Sequence, residues 1–113
     1  MYDDDVIENE DRADALFHAL SDRTRRDIVR RVLDGEHSVT ALAASYDMSF
    51  AAVQKHVAVL ARAGLLTKHR HGREQLASGD VQAVRSVSTM LDELEGVWRG
   101  RVARIDALLT SGD

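Results

Sequence analysis

Gln54 and Lys55 stand side by side in the run Ser49-Phe50-Ala51-Ala52-Val53-Gln54-Lys55-His56, and both side chains can read a base edge. A glutamine carboxamide pairs bidentately with adenine, and a lysine ammonium reaches guanine O6 and N7 or a phosphate. Ser49 sits where a helix would begin, and the free amides and dipole of a helix start favour an anion. Phe50, Ala51 and Arg62 fall on the same outer face once Val53, Val57 and Leu60 are turned inward. Taken alone, Gln54 and Lys55 read equally well as solvated residues on a helix face. Arg25 and Arg26 lie ahead of this stretch as candidate phosphate clamps, with one of them alternatively pairing with a carboxylate inside the domain. Arg70, His71 and Arg73 lie behind it, suited to a minor groove or its phosphates.

Charge is distributed in keeping with that reading. The chain carries a net charge of −4. From Arg23 to Arg73, however, ten basic residues oppose only Asp27, Asp34, Glu36 and Asp47, a local balance of +6. Asp3, Asp4, Asp5, Glu8, Glu10, Asp11 and Asp14 crowd the N-terminus against a single Arg12. A basic module between acidic ends fits a nucleic-acid binder, and by charge alone it fits a solvated face as well.

Other chemistries are poorly supplied. There is no cysteine, which removes disulfides, thiolate zinc sites and cysteine nucleophiles together. No nucleophile–base constellation, phosphate-cradling glycine loop or paired carboxylate set stands out, so an enzyme is not expected. No apolar run approaches the roughly 20 residues of a membrane span, and the acidic start lacks the pattern of a signal peptide. The expectation is a cytoplasmic protein. Its 113 residues, 44% hydrophobic and 30% charged, suit one globular domain.

Helical periodicity dominates the elements that must carry these side chains. A first helix is expected over 12–20, with Ala15, Leu16, Ala19 and Leu20 on one stripe, after an acidic and flexible lead of residues 1–11. Ser21-Asp22 offers a cap for a second helix from Arg23 to Asp34, with Ile28, Val29, Val32 and Leu33 inward. Gly35 then ends it in a left-handed conformation. A short third helix from Val39, capped by Ser38 or Thr40, a turn at Asp47-Met48 and a fourth helix capped by Ser49 make a helix-turn-helix over 39–63. Two short, half-polar arms around His71-Gly72 make a two-stranded wing over 65–77. Asp80 caps a fifth helix over 80–109.

The apolar positions of that last helix are Val84, Val87, Leu91, Leu94, Trp98, Val102, Ile105 and Leu109, close to a heptad seam. So long a stripe exceeds what a small body can cover, and it is read as a homodimer interface shared with Leu16 and Phe17. The expected fold is mostly α: a winged helix-turn-helix of five helices, dimerising through its first and last helices.

Three stretches together resemble the ArsR-type winged-helix repressors. Ala19-Leu20-Ser21-Asp22-Arg23-Thr24-Arg25-Arg26-Asp27-Ile28-Val29 is similar to their opening helix. Ser49 to Leu60 followed by Ala63-Gly64-Leu65-Leu66 is similar to the recognition helix and its exit, and His71-Gly72-Arg73 to the wing. The resemblance spans about Asp14 to Leu109, and departs at Arg23, where proline is usual. It implies a dimeric repressor on a palindromic operator of double-stranded DNA. It also implies that His56, present in the family irrespective of metal sensing, serves positioning or a backbone contact.

Many relatives are released from DNA by a metal ion. Their third-helix sites need cysteines, which Ala41-Leu42-Ala43-Ala44-Ser45 lacks, and their last-helix pattern falls here on Asp80, Gln82, Glu93 and Gly96. Without imidazole or thiolate there, and with His18, His37, His56, His69 and His71 scattered, no metal site and no cofactor are expected. Two other readings share the fold. One is a repressor answering to a small molecule held near Trp98 and Phe17. The other is a dimeric protein-interaction adaptor that no longer binds DNA.

Overall fold

A computed structural model describes residues 4–111 of the chain. Polar side chains placed just ahead of apolar-periodic runs decide where most of its helices begin. The order is α1 (Asp4–Leu20), α2 (Arg23–Asp34), β1 (His37–Ser38), α3 (Val39–Ala44), α4 (Phe50–Arg62), β2 (Leu66–His71), β3 (Glu74–Gly79) and α5 (Val81–Thr110). Asp22 accepts the Arg25 amide at 3.0 Å, Ser38 that of Ala41 at 3.0 Å, Ser49 that of Ala52 at 3.1 Å and Asp80 that of Gln82 at 2.9 Å. Each such cap is worth about 1 kcal/mol against alanine.

Three boundaries differ from expectation. α1 starts at Asp4 rather than Arg12, so most of the segment expected to be a flexible lead is helical; residues 1–3 of that lead lie outside the described residues. α2 ends without a left-handed glycine. Gly35 has φ 175°, an extended value any residue adopts, and its amide closes the helix on the Arg31 carbonyl at 3.2 Å. The wing is not a lone hairpin: β1 joins it to give an antiparallel sheet ordered β1-β3-β2, with His37 opposite Ala77 and Ser38 opposite Leu76. A two-residue strand gives no readable alternation, which is why the sequence conceals it.

Glycine is required where α4 ends and where the wing turns. Gly64 (φ 82°) lets Leu65 N–H reach the Leu60 carbonyl at 3.0 Å and its own N–H reach Ala61 at 3.1 Å. This double closure satisfies the last carbonyls of α4 and drops Leu65 and Leu66 into the core. Gly72 (φ 65°) opens the two-residue loop between paired His71 and Glu74, as primed hairpin turns demand.

The core lies where α2, α3 and α4 meet the sheet. Ile28, Val29 and Val32 face Val39, Leu42, Val53, Val57 and Leu60, closed by Leu65, Leu66 and Ala77. Leu16 and Ala19 bring α1 onto this core, whereas Ala15, expected on the same stripe, is exposed. Leu33, expected inward, is 41% exposed and lies over Gly79, where an added Cβ would come within 2.7 Å of it.

α5 changes role along its length. Ala83, Val84, Val87 and Met90 pack against the core, and beyond Met90 the same stripe runs on uncovered. At about 1.5 Å per residue, the uncovered part continues for some 30 Å.

Candidate nucleic-acid interface

Burial of one face fixes the direction of the other. With Val53, Val57 and Leu60 at 1% exposure or less, α4 is pinned to the core, and Phe50, Ala51, Gln54, Lys55 and Arg62 are held outward on a rigid helix. Ser49 is exposed at the start of that helix, its Oγ accepting the Ala52 amide and its hydroxyl hydrogen left to donate elsewhere. Arg70, His71 and Arg73 are exposed at the tip of the wing. Lys68 is exposed on β2 as well, a basic residue the sequence reading left out although its place in the polar arm marked it. The structure thus presents the helix residues and the wing residues as two solvent-facing, basic elements joined through Gly64.

Arg25 and Arg26, the expected phosphate clamps, both reach the end of α1 in the free chain. Arg25 Nε donates to the Ala19 carbonyl at 2.7 Å and a terminal nitrogen donates to the His18 carbonyl at 2.9 Å. Arg26 donates to the Leu20 carbonyl at 2.8 Å. Both guanidinium groups therefore clamp the C-terminal end of α1, where carbonyls lack helical partners and carry the negative end of the dipole. Among the described residues, neither side chain forms an ion pair with a carboxylate, and in the free chain both hold the end of α1.

His56 is half-buried and points back at the same junction. Its Nδ1 lies 3.4 Å from the second terminal nitrogen of Arg25 and 4.0 Å from Asp22 Oδ2. The Asp22 carboxyl is held below the usual carboxylate range, first of all by the Arg25 amide it caps. His56 is thus turned away from the outward face of Gln54 and Lys55.

A second cluster, invisible in the sequence, holds the turn ahead of α4. The Tyr46 hydroxyl donates to Asp27 Oδ2 at 2.5 Å, Arg31 Nε donates to the same oxygen at 2.9 Å, and Arg31 lies over the Tyr46 ring at 5.4 Å. The hydrogen bond from Tyr46, then that from Arg31, lowers the pKa of Asp27. Burial, then the bond to Asp27, pushes the Tyr46 hydroxyl up to about 12. α2 is thereby tied to the end of α3, and so to the turn that aims α4. Asp27 and Tyr46 lie nineteen positions apart, and no local pattern connects them.

The residues assigned to an interface between copies divide in two. Phe17, Leu91, Leu94, Trp98, Val102 and Ile105 are exposed, as an interface requires. Leu16 is 1% exposed and belongs to the core of a single chain, because the face of α1 that meets α2 and α5 takes it inward. Val84 and Val87 are half-buried against the same core, so they are at most the margin of a contact.

Among the described residues, no three His, Asp or Glu side chains gather into a possible metal site. Asp80 caps α5, His69 pairs with Glu36 at 3.1 Å and His37 bonds the Gly35 carbonyl at 2.8 Å. No described helix is long and apolar enough to cross a membrane.

Comparison with known proteins gives a consistent picture. Residues 20–69 match the model of a helix-turn-helix domain. Among solved structures, an ArsR family transcriptional regulator is 28% identical, with a TM-score of 0.76 over 80% of this chain and 93% of its own. An ArsR-like transcriptional regulator from Rhodococcus sp. is 26% identical, with the same TM-score over 88% and 93% of the two chains. A homodimeric winged helix-turn-helix DNA-binding domain from Mycobacterium bovis, 20% identical, shares the fold with a TM-score of 0.65 over 91% and 93%. No curated protein matches the sequence. The chain thus has a winged helix-turn-helix fold, and in sequence and fold it is similar to transcriptional regulators of the ArsR family.

Proposed function

We propose that this chain is a sequence-specific DNA-binding repressor that acts as a homodimer on a palindromic operator. The observation that carries the reading is the two-faced α4: its apolar side is locked into the core, while Gln54 and Lys55 are presented outward beside the exposed basic wing. Gln54 and Lys55 read base edges in the major groove, with Phe50 and Ala51 against the groove floor. Ser49, Arg62, Arg70, His71 and Arg73 contact phosphates or the flanking minor groove and set register. A single α4 offers few base contacts, so affinity calls for two copies held about one DNA turn apart.

Homodimerisation is supported by the uncovered stripe of α5 beyond Met90, where Leu94 is 67% and Trp98 58% exposed. A second copy laying the same stripe against it removes both from water. Phe17 on α1 adds to this contact, and the homodimeric M. bovis neighbour has the same fold.

Selection from a random duplex library with the purified protein tests the reading. The expected result is an enriched inverted repeat, bound with a strong salt dependence. Gln54→Ala is expected to relax the preference at one base step of each half-site. Lys55→Ala is expected to weaken binding by about tenfold per half-site, the scale of one base or phosphate contact. Sequence-blind association unaffected by either substitution would overturn the proposal.

A further inference from the structure

We propose that Arg25 and His56 form a positioning pair that ties α4 to the C-terminal end of α1, so that the seating of α1 in the dimer sets the direction in which α4 meets DNA. The inference rests on the DNA-binding reading above and adds a route by which the two functional regions communicate.

The geometry is a three-element junction built on one guanidinium group. Arg25 uses Nε and one terminal nitrogen on the Ala19 and His18 carbonyls, the last turn of α1, at 2.7 and 2.9 Å. Its other terminal nitrogen faces His56 Nδ1, on the second turn of α4, at 3.4 Å. A planar guanidinium fork cannot move toward one partner without moving relative to the others. Asp22 fixes the base of the fork, because its carboxylate caps the Arg25 amide at 3.0 Å and lies 4.0 Å from His56.

Two further points favour alignment over direct readout. An arginine side chain is a donor only, so His56 Nδ1 meets it as an acceptor, which assigns the ring proton to Nε2. In addition, α1 carries exposed Phe17 directly beside the clamped carbonyl of His18. A shift of α1 on dimerisation therefore pulls on the same carbonyls that hold Arg25, and through Arg25 on His56. In this proposal the effect of both residues on DNA passes through the orientation of Gln54 and Lys55.

The test uses the full chain and the duplex enriched by the wild-type protein. His56→Ala removes the acceptor and is expected to weaken binding about tenfold, the scale of one aligned hydrogen bond. The slope of affinity against salt and the dimer dissociation constant are expected to stay at wild-type values. His56→Asn, whose side-chain oxygen falls near the Nδ1 position, is expected to restore most of the affinity. Long-range nitrogen spectra of the neutral ring are expected to report the Nε2–H tautomer. Thermal melts confirm that both variants are folded. A salt slope that falls by about one contact per half-site in His56→Ala would instead make His56 a phosphate ligand and overturn the inference. Wild-type affinity in His56→Ala, no rescue by asparagine, or the Nδ1–H tautomer overturns it equally. If Gln54→Ala and Lys55→Ala weaken binding while His56→Ala does not, only the positioning role fails. If the wild-type protein enriches no duplex, the DNA-binding reading falls and this inference with it.

Discussion

Replacing Tyr46 with phenylalanine removes one oxygen and keeps the ring beneath Arg31. The oxygen removed is a donor to Asp27 Oδ2 at 2.5 Å, a charged acceptor already held by Arg31 at 2.9 Å. A hydrogen bond to a charged group contributes about 1.5–3 kcal/mol. The Asp27 side chain is 32% exposed, so water replaces part of what is lost and the lower end applies, about 1.5 kcal/mol. For a domain of this size that corresponds to a Tm lower by about 6 °C. Circular dichroism melts at one fixed protein concentration measure it, because any dimer contributes a concentration-dependent stability.

The pH dependence separates this explanation from simple loss of packing. Asp27 has a lowered pKa in the folded protein, through Tyr46 first and Arg31 second. Its contribution is therefore complete above the ordinary carboxylate range and is lost as pH falls through the lowered value. Tyr46 is raised to about 12, by burial and then by Asp27. That contribution is complete below the ordinary tyrosine value of about 10 and is lost as pH rises through the raised value. The gap between native protein and Tyr46→Phe is thus expected to be constant between about pH 5 and 9 and to close on both sides. An unchanged Tm near neutrality, or a gap as wide in strong acid as at neutrality, would refute the coupling of Tyr46 to Asp27.

Other substitutions probe the remaining parts of the architecture. Leu94→Ser combined with Trp98→Ser is expected to yield a folded monomer by sedimentation and to weaken operator binding; an unchanged dimer would place the interface elsewhere. Leu16→Ala is expected to cost about 3 kcal/mol in denaturant unfolding, as a large-to-small change in the core, whereas Phe17→Ser alters assembly with little effect on the stability of the single chain. Gly79→Ala places a Cβ 2.7 Å from a Leu33 methyl and 3.0 Å from the Leu33 Cα. It is expected to destabilise by about 1–3 kcal/mol in the same experiment, as overpacking does. Ser49→Ala removes the α4 cap, with an expected loss of about 1 kcal/mol in thermal or urea unfolding.

Much of the helix-turn-helix was legible in the sequence because its signals are local. Ser38, Ser49 and Asp80 cap the helices they immediately precede, Gly64 ends α4, and the spacing of Val53, Val57 and Leu60 shows which side of α4 faces inward. Once that side is known, the outward placement of Gln54 and Lys55 follows from a helical period of 3.6 residues. Local signals were also enough for the resemblance to the ArsR-type regulators, since motif residues sit close together in the chain.

Contacts between distant segments were decided by the tertiary structure. Arg25 and Arg26 are basic residues in the sequence, and only the tertiary structure brings the end of α1 beside them, where unpartnered carbonyls take some of their donors. Leu16 shared an apolar stripe with nothing to say whether its own chain or a partner would cover it; α2 and α5 close over it. Tyr46 became a restraint on the recognition turn only when packing carried it to Asp27. Periodicity specifies which face of an element is buried, but not what covers it, because the covering surface comes from residues far along the chain.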